Sequence, residues 1–172
     1  MKKISTRSLV RGALIAAAYT VVAVALAPIS FGAVQIRVSE ALTLLPVLSP
    51  VATAGVTVGC LLTNTWGVAA GADLLGAADI VLGTAATLIA ALLTRRLRRR
   101  PLLAALPPVL CNAVVVGAEL TFVETNAFPL GLFLINALQV GAGEAIACYA
   151  LGLPLLRLLR NRLTDLDEIP AA

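Results

Sequence analysis

Apolar runs close to twenty residues long recur along this 172-residue chain, and they constrain the fold more than any motif does. A helix needs about twenty apolar residues to cross the roughly 30 Å hydrocarbon layer of a bilayer. With a mean hydropathy of +0.99 and 60% hydrophobic residues, the chain reads as a multi-pass membrane protein and not as a soluble core. The runs are continuous and do not alternate every second residue, so helices are expected and transmembrane strands are not. The first run is long for a cleaved signal peptide and further spans follow it, so it is expected to remain as a helix. Residues 1–160 are expected to form one integral-membrane domain. Residues 161–172, with Asp165, Asp167 and Glu168, read as a polar cytoplasmic tail.

Apolar runs and breakers predict helices near 8–27, 39–48, 51–64, 76–94, 102–123 and 129–159. Pro28, Pro46, Pro50, Pro101, Pro107, Pro108 and Pro129 fall at or near the boundaries, where proline is best tolerated. The second span is the weak one, because about ten α-helical residues cannot cross the hydrocarbon layer. Either it is a short tilted or broken helix, or 39–64 is one kinked helix. Charge decides between them. Lys2, Lys3, Arg7 and Arg11 precede the first span, "RRLRRR" at 95–100 follows the fourth, and Arg157, Arg160 and Arg162 follow the last. Positive clusters stay in the cytoplasm, which requires four crossings before Arg95 and two after it. The expected fold is therefore an all-α membrane protein, a six-transmembrane-helix bundle in the cell membrane with both termini cytoplasmic. The pI near 9.4 reflects these orientation clusters and points to no nucleic acid.

On this topology twelve of the thirteen basic residues are cytoplasmic, and the exception is Arg37. Glu40, Asp73, Asp79, Glu119 and Glu124 lie on the outer side, Glu144 lies near the middle of a span, and Asn64, Trp66 and Asn112 follow the same outward bias. Charges within spans are costly and usually face the bundle interior or an aqueous cavity. Glu124 and Asp73 read as interfacial, and Trp66 as a belt anchor or a ligand-facing ring. Asn112 and Glu119, seven residues apart, share a helix face. Arg37 pairs with Glu40 across one helical turn or donates to a ligand; both roles stay open. Polar positions from several helices converging on one side imply a pocket opening outward.

That pocket lacks the parts of an enzyme. The chain has no histidine, no HExxH, no GxSxG and no GxxxxGK[ST] loop, so neither intramembrane hydrolysis nor ATP hydrolysis is expected. Cys60, Cys111 and Cys148 show no CxxC spacing and read as small packing residues; no metal or cofactor is expected. In the first span, Gly12 with Ala16 and Ala13 with Ala17 have the small-xxx-small spacing that lets helices approach closely, within the chain or against a partner.

Five blocks carry a family resemblance: "ISFGAVQIRVSEALTLLPVLSP" (29–50), "GCLLTN" (59–64), "DIVLGTAATLIAALLTRRLR" (79–98), "LPPVLCNAVVVGAEL" (106–120) and "VGAGEAIACYALGLPLL" (140–156). From about Arg11 to Leu156 the chain resembles the QueT family, the membrane substrate-binding (S) components of energy-coupling factor (ECF) transporters. The resemblance implies a six-helix bundle that captures a vitamin-like molecule from outside, with the first outer loop as a lid. It implies as partners a transmembrane coupling protein and two cytosolic ABC-type ATPases, with Ala13 and Ala17 at the coupling-protein contact. It also implies queuosine precursors as ligands, meaning queuine or other 7-deazaguanine bases. The expected substrate-binding set is Gln35, Arg37, Glu40, Asn64, Trp66, Asp79, Asn112, Glu119 and Glu144, with Gln35 and Glu40 foremost for contact and Trp66 or Phe31 available to cover a flat base. A stand-alone ion-coupled carrier, with Glu119 or Glu144 taking up a proton, is the competing reading.

Overall fold

The computed structural model describes residues 5–30 and 37–167, and of Ile29 and residues 161–167 the backbone alone. Helices and turns account for the described residues; none is in a strand. α1 spans Thr6–Ala25, its N-terminus capped by the Ser5 hydroxyl, which accepts from Ser8 N–H at 3.2 Å. A short helical turn, Ala27–Ser30, follows. Next come a 3-10 helix, η1 (Val38–Val47), then α2 (Pro50–Ala69) and α3 (Ala77–Arg96). Ser49 caps α2 and Pro50 occupies its first turn, where a missing N–H costs nothing. A turn at Pro101–Ala104 leads to α4 (Leu106–Thr125), which ends on left-handed Asn126 (φ 51°). α5 runs from Leu130–Ala145 through a π-helical stretch, Ile146–Gly152, into Leu153–Asp167. It thus extends past 159 into the segment expected as a tail, and α2 runs five residues beyond Asn64.

Five helices are long and apolar enough to cross a membrane: Thr6–Ala25, Pro50–Ala69, Ala77–Arg96, Pro101–Thr125 and Leu130–Arg160. Their contacts fix their relative directions. An added Cβ on Gly12 would meet Val51 at 3.2 Å, on Gly55 the Gly12 carbonyl at 2.9 Å, and on Gly59 the Tyr19 Cβ at 2.7 Å. Positions thus advance together along α1 and α2, so these two helices run parallel. Asn64 reaches the Asp79 carbonyl and Thr87 reaches Cys60, so α2 and α3 are antiparallel. Gly117 against Ala137 and Asn112 against Glu144 make α4 and α5 antiparallel. The glycine seam tolerates little. Gly59→Ala is expected to cost about 1–3 kcal/mol through overpacking on Tyr19, read as a lowered unfolding midpoint in detergent.

Parallel α1 and α2 oblige the chain between them to return along the bundle, and η1 makes that return. Arg37 at its start meets Asp79, and the Pro46 carbonyl near its end meets Arg95. Along α3 those two contacts are sixteen residues apart, about 24 Å at α-helical rise. Nine α-helical residues would cover only about 14 Å, whereas 3-10 geometry at about 2 Å per residue covers about 18 Å. Two long arginine side chains make up the remainder. The stretched form also explains how so short a segment is buried on nearly every side, with Ser39, Glu40, Ala41, Thr43, Leu44, Leu45, Pro46 and Val47 all buried. Against it lies the π stretch, where Gly152 leaves room for Leu44 and the Ala41 carbonyl. Leu44, Val47, Ala104, Ala105, Cys148, Leu153 and Leu156 form the core at the arginine end. Leu75, Val116, Leu120 and Val140 form another at the carboxylate end.

Candidate functional site

Glu40, Asp79 and Glu119 lie in the half of the bundle away from the arginine loop and Glu144 nearer its middle, and each comes from a different element. Glu40 opens η1, Asp79 lies in the first turn of α3, Glu119 is on α4 and Glu144 on α5; all four are buried. Unpaired charges cannot be buried without large cost, so the partners of these groups define the site.

Three of the four carboxylates follow one pattern. Tyr19 Oη of α1 donates to Glu40 Oε1, while Glu40 Oε2 has no hydrogen-bond partner. Arg37 donates to Asp79 Oδ2 at 2.8 Å, while Asp79 Oδ1 has none. Asn112 Nδ2 donates to Glu144 Oε1 at 2.8 Å, while Glu144 Oε2 has none. In each case a side chain from another part of the chain holds one oxygen and leaves the other as a bare acceptor. Glu119 goes further, since neither of its oxygens has a partner among the described residues. Against these four carboxylates the neighbouring cation is Arg37, whose charge acts on Glu40, Glu119 and Glu144 as well as on Asp79. The cluster is rich in acceptors and in formal negative charge. Such acceptors suit hydrogen-bond donors and cations.

Of the two roles left open for Arg37, the pair with Glu40 does not form; its ion pair is with Asp79. Arg37 is the cap residue of η1 with extended backbone (φ −79°, ψ 90°), so its side chain leaves the helix and crosses to α3. Its carbonyl accepts from the Glu40 N–H at 2.9 Å instead. Asn64 supports the pair from below by donating to the Asp79 carbonyl at 2.8 Å. Gly83 supplies the space: a Cβ there would lie 1.9 Å from Asp79 Oδ1. Arg37, Asn64 and Asp79 are therefore one group, Asn112 and Glu144 a second, and Glu40 stands with Tyr19. Asn112 and Glu119 are both buried on α4. Trp66 is 37% exposed and sits about 200° around α2 from Asn64. Gln35 and Phe31 lie outside the described residues. Glu124 is exposed and accepts from Asn136 at 3.4 Å. Tyr19 is the participant that sequence reasoning missed, although a polar ring inside the run "GALIAAAYTVVAVALA" was the available signal.

Beside the cluster, the α2–α3 loop turns on two left-handed glycines, Gly71 (φ 66°) and Gly76 (φ 69°). Asp73 between them accepts from Leu75 N–H at 2.9 Å. Burial pushes its carboxyl up to about 6 from 3.8, with repulsion from Asp79 adding and the Leu75 amide and Arg37 opposing. The folded state therefore holds this proton more tightly than the unfolded chain. Its contribution to stability is full below about pH 4 and is lost as pH rises through about 6. The unfolding midpoint of the wild type is expected to gain on Asp73→Asn as pH falls from 7 to 4.5; a constant difference across that window would refute the assignment.

On α1, Gly12 and Ala16 face α2, whereas Ala13 and Ala17 are exposed. Thr87 donates to Cys60 at 3.3 Å, and Cys148 lies 3.9 Å from Thr43, so both thiols pack inside the bundle. Compared with known proteins, residues 9–161 match the family model described as QueT transporter. No curated protein and no solved structure matches the chain.

Proposed function

Because the chain belongs to the QueT transporter family, we propose that it is the substrate-capture subunit of an ATP-driven importer of the energy-coupling factor type, taking up queuosine precursors. The observation that carries this reading is the set of buried carboxylates with one oxygen held and one left bare. A 7-deazaguanine presents ring N–H and exocyclic NH2 donors in a row, which a carboxylate accepts in pairs, and an aminomethyl substituent adds a cation for a second carboxylate. Glu40, Glu119 and Glu144 are the assigned acceptors, with Asn112 and Asn64 holding the frame. Arg37 and Asp79 form the structural brace, Asp79 also offering its bare oxygen. Gln35 and Trp66 complete the proposed set.

Residues 1–160 act as one membrane domain, with η1 as the sixth crossing and both termini and the tail from 161 in the cytoplasm. The parallel packing of α1 and α2 supports this topology. Ala13 and Ala17 form the face offered to the coupling protein, and two cytosolic ATPases supply the energy that a chain without a phosphate-binding loop does not. Purified protein is expected to bind queuine or 7-aminomethyl-7-deazaguanine and to be stabilised against unfolding by it, with riboflavin and other vitamins inert. No stabilisation by any deazaguanine would sink the substrate assignment.

Glu119, with neither oxygen partnered, supports a second reading, an ion-coupled carrier in which this carboxyl takes up a proton. Uptake by this chain alone in proteoliposomes, abolished by an uncoupler, would establish it. Co-purification with a coupling protein and ATPases, and uptake only with them, would exclude it.

A further inference from the structure

One carboxylate beside the cluster stands outside the assigned acceptors. Asp73 lies in the α2–α3 loop, and that loop is fixed onto α4 and α5, because Leu75 is buried and packs with Val116, Leu120 and Val140. Val116 and Leu120 flank Glu119 on α4, three residues before it and one after, so the loop is docked beside that residue. The Leu75 N–H holds Asp73 Oδ1 at 2.9 Å. Asp73 Oδ2 is shielded from solvent and has no hydrogen-bond partner among the described residues. Asp73 thus repeats the arrangement of Glu40, Asp79 and Glu144, with one oxygen held and one bare. Its charge acts on Glu119, and the charges of Asp79 and Arg37 act on it. Arg37 is engaged by Asp79 at 2.8 Å, and among the described residues neither Asp73 nor Glu119 has an ion-pair partner. Glu119 is 7% exposed with both oxygens bare. Asp73 Oδ2 and the two Glu119 oxygens therefore face one another without a counter-charge of their own, which is costly away from water.

Resting on the deazaguanine reading above, we propose that Asp73 joins Glu119 to bind the cationic aminomethyl group of the ligand, and so selects charged bases over neutral ones. An ammonium carries N–H donors and no acceptor, which suits a place that offers bare acceptors alone. Its charge offsets the repulsion between the two acids, and charge-assisted hydrogen bonds shielded from water are the strong ones. A nitrile in the same position brings a lone pair and no donor, so the two carboxylates repel it. Glu40 and Glu144 remain for the guanine-like edge, which both kinds of base share.

The test is calorimetry on the full chain in nanodiscs with two bases that share that edge: 7-aminomethyl-7-deazaguanine, which is cationic, and 7-cyano-7-deazaguanine, which is neutral. The wild type is expected to favour the cationic base by about 10- to 100-fold. Asp73→Asn keeps an oxygen for the Leu75 amide and loses the charge. It is expected to weaken binding of the cationic base by more than about tenfold and of the neutral base by less than about threefold. Glu124→Gln, which removes an exposed charge from the same end of α4, is expected to keep the preference. Equal affinity of the wild type for the two bases overturns the inference and leaves the deazaguanine reading standing. An unchanged preference in Asp73→Asn also overturns it, as does an equal fall for both bases, which makes Asp73 a structural residue. Loss of the preference in Glu124→Gln as well overturns it in favour of a diffuse effect of charge. Binding of neither base by the wild type removes the substrate reading, and the inference with it.

Discussion

Asp79→Ala is expected to lower stability by about 3–5 kcal/mol, the penalty for leaving a buried cation without its partner. Arg37 is 5% exposed and Asp79 fully buried, with 2.8 Å between their charged atoms. The brace also joins the start of η1 to the start of α3, so its loss frees one end of the stretched helix. Denaturation in mixed micelles measures the effect, and a double substitution separates charge from packing. Arg37→Met/Asp79→Asn removes both charges at nearly constant volume, and is expected to recover more than half of the loss. If Asp79→Ala costs less than about 1 kcal/mol, in the range of a solvated surface pair, the brace is not what holds this end together.

Glu119→Gln is expected to behave in the opposite sense. No group among the described residues satisfies either Glu119 oxygen, so replacing the acid with an amide of the same shape removes the cost of burying a charge there. The unliganded protein should be as stable as the wild type or more so. Affinity for the deazaguanine is expected to fall by about 30- to 150-fold, the loss of a charge-assisted hydrogen bond of roughly 2–3 kcal/mol. Calorimetry on the purified variant reads the affinity, and its thermal unfolding without ligand reads the stability. A variant that is destabilised yet binds normally would make Glu119 a structural residue. The contrast with Asp79 is the useful part: among the described residues one carboxylate is answered and the other is not.

The long helices were legible because each is an apolar run of sufficient length, and α1, α2, α3 and α4 follow the expected order closely. The burial of Glu40, Asp79, Asn112, Glu119 and Glu144 was legible from the same hydropathy, since polar groups in such runs turn inward. Their partners were not. Seven-residue spacing places Asn112 and Glu119 on one face of α4, but the Asn112 amide goes to Glu144 on the facing helix. Spacing along a helix tells which way a side chain points, not what meets it. The Arg37–Asp79 pair bridges 42 residues and Tyr19–Glu40 bridges 21, and no local pattern encodes either. The 3-10 form of η1 was equally hidden, because it answers a distance imposed by α3 and not a preference of "VSEALTLLPV".

That short helix has a consequence for sidedness. Each traverse of a bilayer reverses the compartment that the next loop enters, so the number of traverses before a loop decides where the loop ends. If η1 is the proposed sixth crossing, removing it or fusing its residues into α2 inverts every later segment. On the proposed topology the five arginines of 95–100 would then have to be exported, and the carboxylates of α3, α4 and α5 would face the cytoplasm. On that topology, ten residues in a stretched helical form thus set the sidedness of every later segment.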